Sequence, residues 1–261
     1  TSNNPGGSTN KFFVYDLTLN NTAARVNNDD IYPADILTVA HSASLLSGKM
    51  LTGNTAYLSL KDGASINTGN SSSFVNGPMR YEMAASATRT LNFPIGESDK
   101  WRYASVIVSH TTNTSYTYST QVVSGSAITS SNEIPASVNN ISGVRYFQIE
   151  RLLTSTGNSS SAGLNGNQTI IIHYEADDLV TDYSNLTIVK SPSTGVTWLD
   201  IGGVASANTT GTVYSTSSPS AFTSFSKFAL ANINGGGNVL PVQLTGFDGH
   251  VCDNKICLNW Q

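Results

Sequence analysis

Four acidic side chains stand close together in the second half of the chain and could bind a metal ion. Glu175, Asp177 and Asp178 follow an apolar run at 170–172, and Asp182 lies four residues beyond Asp178. Hard cations such as Ca²⁺ take six to eight oxygen ligands, which the carboxylates and backbone carbonyls of one loop can supply. The pattern therefore predicts a candidate calcium site. The alternative, which we favour, is a solvated turn at the end of a strand.

The two cysteines, Cys252 and Cys257, could form a disulfide. If Asn254 and Lys255 make a two-residue hairpin turn, Cys252 faces Cys257 at a separation near the lower limit for a disulfide. We expect this bond rather than two free thiols packed as small hydrophobic side chains. Metal binding by the pair is less favoured, because His250 is the only histidine close to it in sequence.

No constellation of residues predicts catalysis. A catalytic serine needs a constrained turn with a histidine and a carboxylate behind it, and the chain has no Gly-x-Ser-x-Gly segment. We interpret His41, His110, His173 and His250 as structural or merely exposed. No phosphate-binding glycine-rich loop lies between a strand and a helix. We therefore expect no catalytic residue, and no cofactor apart from the possible calcium.

Aromatic residues at alternate positions could bind sugar rings. Tyr116 and Tyr118 would place two rings on one face of a strand, which a glycan platform needs. Ordinary packing across strands is the alternative. Trp101, Tyr103 and Trp198 are further candidates for stacking on a sugar, although we interpret Trp198 as a core anchor.

Composition excludes several classes of partner. Charged residues make up 11% of the chain, against roughly 25% in typical soluble domains. The net charge is −4, and the lysines and arginines are scattered, so we expect no nucleic-acid partner. No apolar run approaches the ~20 residues of a transmembrane helix, so we expect no membrane span. The first ten residues lack signal-peptide features, and we interpret Thr1 as the start of a mature or excised segment.

Short apolar segments repeated along the first third of the chain predict a β-solenoid. They begin 20 and then 21 residues apart: Leu17-Thr18-Leu19, Leu37-Thr38-Val39 and Leu58-Ser59-Leu60. A bend of small residues follows each segment, at 21–23, 41–43 and 62–64, and then an inward apolar residue, Val26, Leu46 or Ile66. Stacked coils bury together an apolar face that one coil cannot bury alone. We expect a weaker fourth turn at 79–83 and a cap at 11–15.

Longer alternating segments predict an antiparallel β-sandwich after the solenoid. We expect strands at 103–108, 116–123, 144–150, 169–174, 186–189, 196–200 and 225–230. In one of them Phe147 and Ile149 would point to the core, and Gln148 and Glu150 to solvent. The predicted fold is all-β, with a short solenoid over 1–85, a sandwich over 86–238, and a linker and hairpin over 239–261.

Several segments in this order resemble parts of a known protein group. The matching pieces are the Leu-Thr-Leu coils, Phe93-Pro94-Ile95-Gly96 with Trp101-Arg102-Tyr103, the segments 145–149, 197–203 and 223–230, and Leu240-Pro241-Val242-Gln243-Leu244 running to Leu258-Asn259-Trp260. Together they resemble Bacteroidetes secreted or surface proteins exported by type IX secretion. The resemblance implies an adhesin-like protein in which the segment from Leu240 opens an immunoglobulin-like module before a sorting domain. It implies no catalytic residue in this chain.

Three functions from different classes remain open. We expect a non-catalytic structural or adhesive component of an extracellular or cell-surface assembly. Its partners would be further copies of the chain or other surface-protein chains. The alternative is a carbohydrate-binding module of a secreted protein, with glycans as partners. A polysaccharide-cleaving β-helix enzyme is less favoured, because Asp35 and Asp62 lie at different places in their coils.

Overall fold

The regular secondary structure of the described residues is almost entirely β-strand, as predicted. The computed structural model describes residues 11–21, 33, 35–129, 132–166, 168–192, 194–240, 247–252 and 255–260. The first seven strands build the coils of a solenoid and are β1 (Lys11–Asn20), β2 (Ile36–Ser47), β3 (Met50–Leu51), β4 (Leu58–Leu60), β5 (Ser65–Ile66), β6 (Val75–Asn76) and β7 (Met79–Met83).

The next eight strands are distributed over three sheets. Their bounds are β8 (Thr88–Phe93), β9 (Ile95–Glu97), β10 (Lys100–Trp101), β11 (Ala104–Ser109), β12 (Tyr116–Ser124), β13 (Val138–Ile141), β14 (Arg145–Leu153) and β15 (Thr169–Tyr174). The last described strands are β16 (Leu186–Lys190), β17 (Leu199–Asp200), β18 (Val204–Ala205), β19 (Gly211–Tyr214), β20 (Lys227–Ile233), β21 (Phe247–Cys252) and β22 (Lys255–Trp260). Two 3₁₀ helices, Ala176–Asp178 and Tyr183–Asn185, join β15 to β16. The strand predicted at 196–200 is shorter than expected, since only β17 forms there.

The coils stack in parallel register, as the repeat predicted. Leu37 and Val39 of β2 lie beside Leu58 and Leu60 of β4, and β4 lies in the same way beside β7. The fourth turn predicted at 79–83 is therefore confirmed as β7. A second parallel ladder, formed by β3, β6 and β9, closes another side of the coils. Val39, Leu58 and Leu60 are fully buried between the ladders.

The first coil is longer than the repeat predicted. Phe12 of β1 lies beside Leu37, 25 residues further along the chain, whereas Leu17 lies beside Ala43. The alignment of Leu17-Thr18-Leu19 with the other two triplets is therefore wrong. The reason is that β1 and β2 are long strands that pass through a register shift and run over two sides of the coil. Segment 11–15, expected as a cap, belongs to β1 itself.

One of the two predicted corners that the structure describes also differs. Residues 41–43 lie inside β2 rather than in a bend, whereas residues 62–64 form a turn in which Gly63 has a φ of 82°. Leu46, predicted to point inward, is 51% exposed, because Leu45 occupies the buried position and strand residues alternate. Ile66 is buried as predicted. Residue 26 lies outside the described residues.

Strand β7 joins the solenoid to the sandwich. One edge of β7 pairs in parallel with β4, and the other pairs antiparallel with β12. The same sheet continues through β14, β20, β16 and β17, and it packs against a second sheet of β18, β19, β15, β11 and β8. One apolar core contains Leu60 of the solenoid together with Tyr118 and Ile172 of the sandwich. The domain boundary at 85 stays a prediction, and the sheet and core are continuous across it.

The C-terminal hairpin has a different register from the predicted one. Cys252 pairs with Lys255, and His250 pairs with Cys257. The pairing is therefore shifted by one residue from the predicted register, and the cysteines are diagonal rather than directly opposite. The disulfide stays a prediction. Among the described strands, β21 and β22 pair only with each other.

Candidate functional site

A groove of about 540 Å³ opens where β14 and β20 separate. The two strands are paired at Phe147–Phe228 and Gln148–Lys227. Before Lys227 the chain leaves the ladder, and segment 224–226 forms one wall of the groove. The other walls come from segments 159–161 and 191–192. Six serines lie in these walls, and the ring of Phe225 provides an apolar surface. The hydroxyls of Ser191 and Ser226 also form hydrogen bonds within the fold.

Two further hollows continue the groove along the outer face of the large sheet. The first, of about 360 Å³, shares Gln148 and Glu150 with the groove and extends to Ser119 and Arg80. The second, of about 210 Å³, shares Arg80 and extends to Tyr57. We call the groove and these two hollows the outer trough. It crosses β20, β14, β12, β7, β4 and β2, which are successive strands and so span about 24 Å at ~4.8 Å per step.

Alternation along β12 decides which side chains reach the trough. Tyr116 and Tyr118 are 3% and 0% exposed, whereas Thr117 and Ser119 point outward and line the trough. The two tyrosines do share a face, as predicted, but that face is the core. Neither ring is available to a sugar, so the glycan platform predicted at Tyr116 and Tyr118 is not found there.

A buried arginine lies at the base of the groove. Arg151 is 2% exposed, and its guanidinium carbon lies 3.4 Å from the centre of the Tyr116 ring. Its Nε donates to the Tyr118 hydroxyl at 3.0 Å, and its terminal nitrogens donate to the backbone oxygens of Ser160 and Ala162. Arg151 forms no ion pair with any carboxylate in the described part of the chain. Its positive charge is therefore not neutralised by a carboxylate partner.

A second arginine lies in the middle of the trough. Arg80 is half-buried and stacks on Tyr57, with 4.1 Å from its guanidinium carbon to the ring centre. It donates to the Tyr57 hydroxyl at 2.9 Å, while its Nε is buried without a hydrogen-bond partner. No described carboxylate forms an ion pair with Arg80. An anionic or hydroxyl-rich ligand could accept from its remaining N–H groups.

The two remaining charges of the groove come from Glu150 and Lys227. Glu150 accepts a hydrogen bond from the side chain of Gln148 at 2.9 Å. The Lys227 ammonium lies 5.1 Å from the centre of the Tyr146 ring, a cation–π distance. Neither charge belongs to an ion pair between described residues. The alternation of the sequence predicts that Gln148 and Glu150 lie on a solvent face. It does not predict that Arg80 and Lys227 share this surface, because the two residues are far apart along the chain.

Two of the predicted calcium ligands, Asp177 and Asp178, form ion pairs with basic side chains. Asp178 is buried and paired with Arg102, at 2.9 Å from Nε, and with Arg145. Asp177 pairs with both arginines and with Lys100, whose ammonium lies 2.7 Å away. Burial acts to raise the pKa of Asp177, but the hydrogen bonds and charges of these cations outweigh it, so the pKa lies well below its ordinary value.

The other two acidic residues point to different partners. Asp182 accepts hydrogen bonds from Ser184 and Asn185, and these lower the pKa of its carboxyl. Glu175 lies 3.8 Å from the ring of His173. Within the described ranges no three histidine, cysteine or acidic side chains gather as a metal site. The calcium site stays a prediction.

The described histidines do not form a catalytic arrangement. Burial, aided by the charge of Arg151, lowers the pKa of His110 to about 4, and burial likewise lowers the pKa of His173 to about 4. His41 and Ser42 both contact the carboxylate of Asp16 at the surface, at 2.7 and 2.5 Å. No hydrogen bond joins Ser42 to His41, and a serine nucleophile needs that bond for activation.

No family model, curated protein or solved structure matches the chain. A search for helices that could cross a membrane finds none among the residues described.

The remaining aromatic candidates lie away from the trough. Trp198 is buried in a small second core, as predicted. Trp101 and Tyr103 are half-buried and pack on His173, with ring centres 4.2 and 5.1 Å away. The indole N–H of Trp101 donates to the backbone of Thr68 at 2.8 Å. These rings support the junction between the solenoid and the second sheet.

Proposed function

We propose that this chain is a non-catalytic adhesive component of an extracellular or cell-surface assembly and that it binds carbohydrate in the groove between β14 and β20. The observation that carries the proposal is the lining of the groove, which combines serine hydroxyls, the amide of Gln148 and the ring of Phe225. A sugar offers the matching chemistry, because its hydroxyls both donate and accept hydrogen bonds and its C–H faces pack on apolar rings.

The rest of the fold supports an adhesive role. The stacked coils make an extended scaffold, in which each coil is stabilised by packing on its neighbours. The partners that belong to this proposal are glycans and further copies of this or other surface chains. Phe12, Phe13 and Tyr15 on the outermost described strand expose apolar surface that could contact such a chain.

A blocking substitution tests the groove. Ser161 is exposed in one wall, so Ser161→Trp should fill the groove without touching the core. On a glycan array and in calorimetry we expect the wild-type chain to bind a carbohydrate and Ser161→Trp to lose at least about tenfold in affinity, or ~1.4 kcal/mol. Ser71→Trp is the matched control, since Ser71 is an exposed serine outside the trough.

Two results would contradict the proposal. One is the absence of binding to any carbohydrate on the array. The other is equal binding by Ser161→Trp and Ser71→Trp, which would place the site elsewhere. Circular dichroism of both variants shows whether the fold is retained.

A further inference from the structure

We infer that the carbohydrate is an anionic polysaccharide and that it lies extended along the whole outer trough, from the groove at β20 to the solenoid strand β2. This inference rests on the proposed function and specifies its ligand. It uses two observations that the groove alone does not supply, the charge of the trough and its length.

The trough is positive although the whole chain is negative. The charged residues that line it are Lys61, Arg80, Arg151 and Lys227 against Glu82 and Glu150, four cations and two carboxylates. The chain as a whole has a net charge of −4. Of the four cations, only Lys61 is neutralised within the trough, by Glu82 at 2.5 Å. A local excess of positive charge in a concave surface attracts anionic ligands and disfavours cationic ones.

The positions of the cations divide the trough into separate contacts. Lys227 lies beside the groove, and Arg80 lies three strands away on β7, because β14 and β12 stand between β20 and β7. Three steps of ~4.8 Å separate them by about 14 Å. A single sugar unit held in the groove cannot reach both side chains, whereas an extended chain with repeated acidic groups can contact both.

The N–H groups of Arg80 determine which ligand groups this side chain binds best. The guanidinium carbon lies 4.1 Å from the centre of the Tyr57 ring, and the buried Nε has no hydrogen-bond partner. A planar guanidinium forms paired hydrogen bonds with a carboxylate or sulfate, and a neutral sugar hydroxyl gains less from the same site. The polar residues between the two cations, Ser119, Gln121 and Gln148, can bind sugar hydroxyls along the way.

The test measures the affinity of the full chain for oligosaccharides of increasing length by isothermal titration calorimetry. The probes are oligogalacturonates from the dimer to the hexamer, neutral cello-oligosaccharides of the same lengths, sulfated chondroitin oligosaccharides and a single-stranded DNA oligonucleotide. We expect affinity to rise with length for an anionic series and to fall with added salt. The comparison of galacturonate with chondroitin sulfate distinguishes a carboxylate from a sulfate ligand.

Four variants test where the polysaccharide lies in the trough. Arg80→Gln should weaken binding of the anionic hexamer by about tenfold, the loss of one charged hydrogen-bond contact, and leave the dimer in the groove unchanged. Lys227→Gln should weaken both. Lys49→Gln removes a charge outside the trough and should weaken neither. Arg80→Lys keeps the charge and should recover part of the affinity, which separates a ligand contact from a change of fold.

The outcomes separate the two proposals. Equal affinity for neutral and anionic series, an unaffected hexamer in Arg80→Gln, or equal binding of the DNA probe would overturn the anionic-chain inference while groove binding by carbohydrate stands. If no saccharide of either series binds, both proposals fail.

Discussion

At the scale of single residues, the sequence showed which side chains are charged but not what they contact. Asp177 and Asp178 look like cation ligands because they follow a strand in an acidic run. In the fold, Arg102 and Arg145 approach them from distant parts of the chain and neutralise them. Burial of an unpaired carboxylate costs free energy, so a buried aspartate needs cationic partners. Only the tertiary packing shows which arginines these partners are.

His173 gives a pH-dependent prediction at this scale. It is buried against Trp101 and Tyr103, and burial lowers its pKa to about 4. In the unfolded chain the pKa is about 6.5. Between these values the unfolded chain binds the proton and the folded chain does not, so the free energy of unfolding should fall as pH decreases from about 6.5 towards 4.

His173→Phe tests this assignment, because phenylalanine keeps the ring packing and cannot titrate. Urea denaturation at pH 7 and pH 5 should show that the wild-type chain loses about 2 kcal/mol more than the variant over this interval. An identical loss in both proteins would show that His173 does not carry the effect. His110, whose pKa is also lowered, should keep part of the pH dependence in the variant.

At the scale of elements, the repeat predicted the middle coils well and the first coil poorly. The step from β2 to β4 to β7 has one length, and the alternation of buried and half-buried residues in β4 recurs in β7. The step from β1 to β2 is longer, and both strands extend over two sides of the coil. The same apolar-polar-apolar triplet occurs on both sides, so sequence alone could not say which side Leu17 occupies.

Two leucines test the coil register. Leu60 is fully buried between stacked coils, whereas Leu46, which the repeat predicted to point inward, is largely exposed. Leu60→Ala should destabilise the protein by about 2–5 kcal/mol, because it leaves a cavity. Leu46→Ala should change stability by less than about 0.5 kcal/mol. Denaturation midpoints measure both, and equal losses would contradict the register.

At the scale of the whole molecule, the solenoid and the sandwich share one large sheet and one main core, although their sequence patterns differ. The sequence changes at about residue 85 from short repeats to longer alternating segments, which predicted two domains. Hydrogen bonds of β7 with both β4 and β12 cross this change, and so does the apolar cluster. Segment patterns report local periodicity and not which edges pair, so this continuity could not be predicted.

A shared core predicts one cooperative unfolding transition for residues of the solenoid and the sandwich. Hydrogen exchange followed by mass spectrometry should give similar protection to β4 and β14, and Leu60→Ala should lower protection in both. Calorimetric and van't Hoff enthalpies should agree. The contrary result would be that the amides of β4 exchange with a much lower opening free energy than those of β14, and that Leu60→Ala leaves β14 unaffected. It would show that the solenoid opens independently.

The two different partners of β7 also determine how this architecture could vary in size. From Leu37 to Leu58 and from Leu58 to Met79 the chain advances 21 residues each time. Insertion of one such unit between β2 and β4 would widen the sheet by about 4.8 Å and leave the pairing of β7 with β12 untouched. Duplication or deletion of whole repeats is thus a route by which related chains could match ligands of different reach.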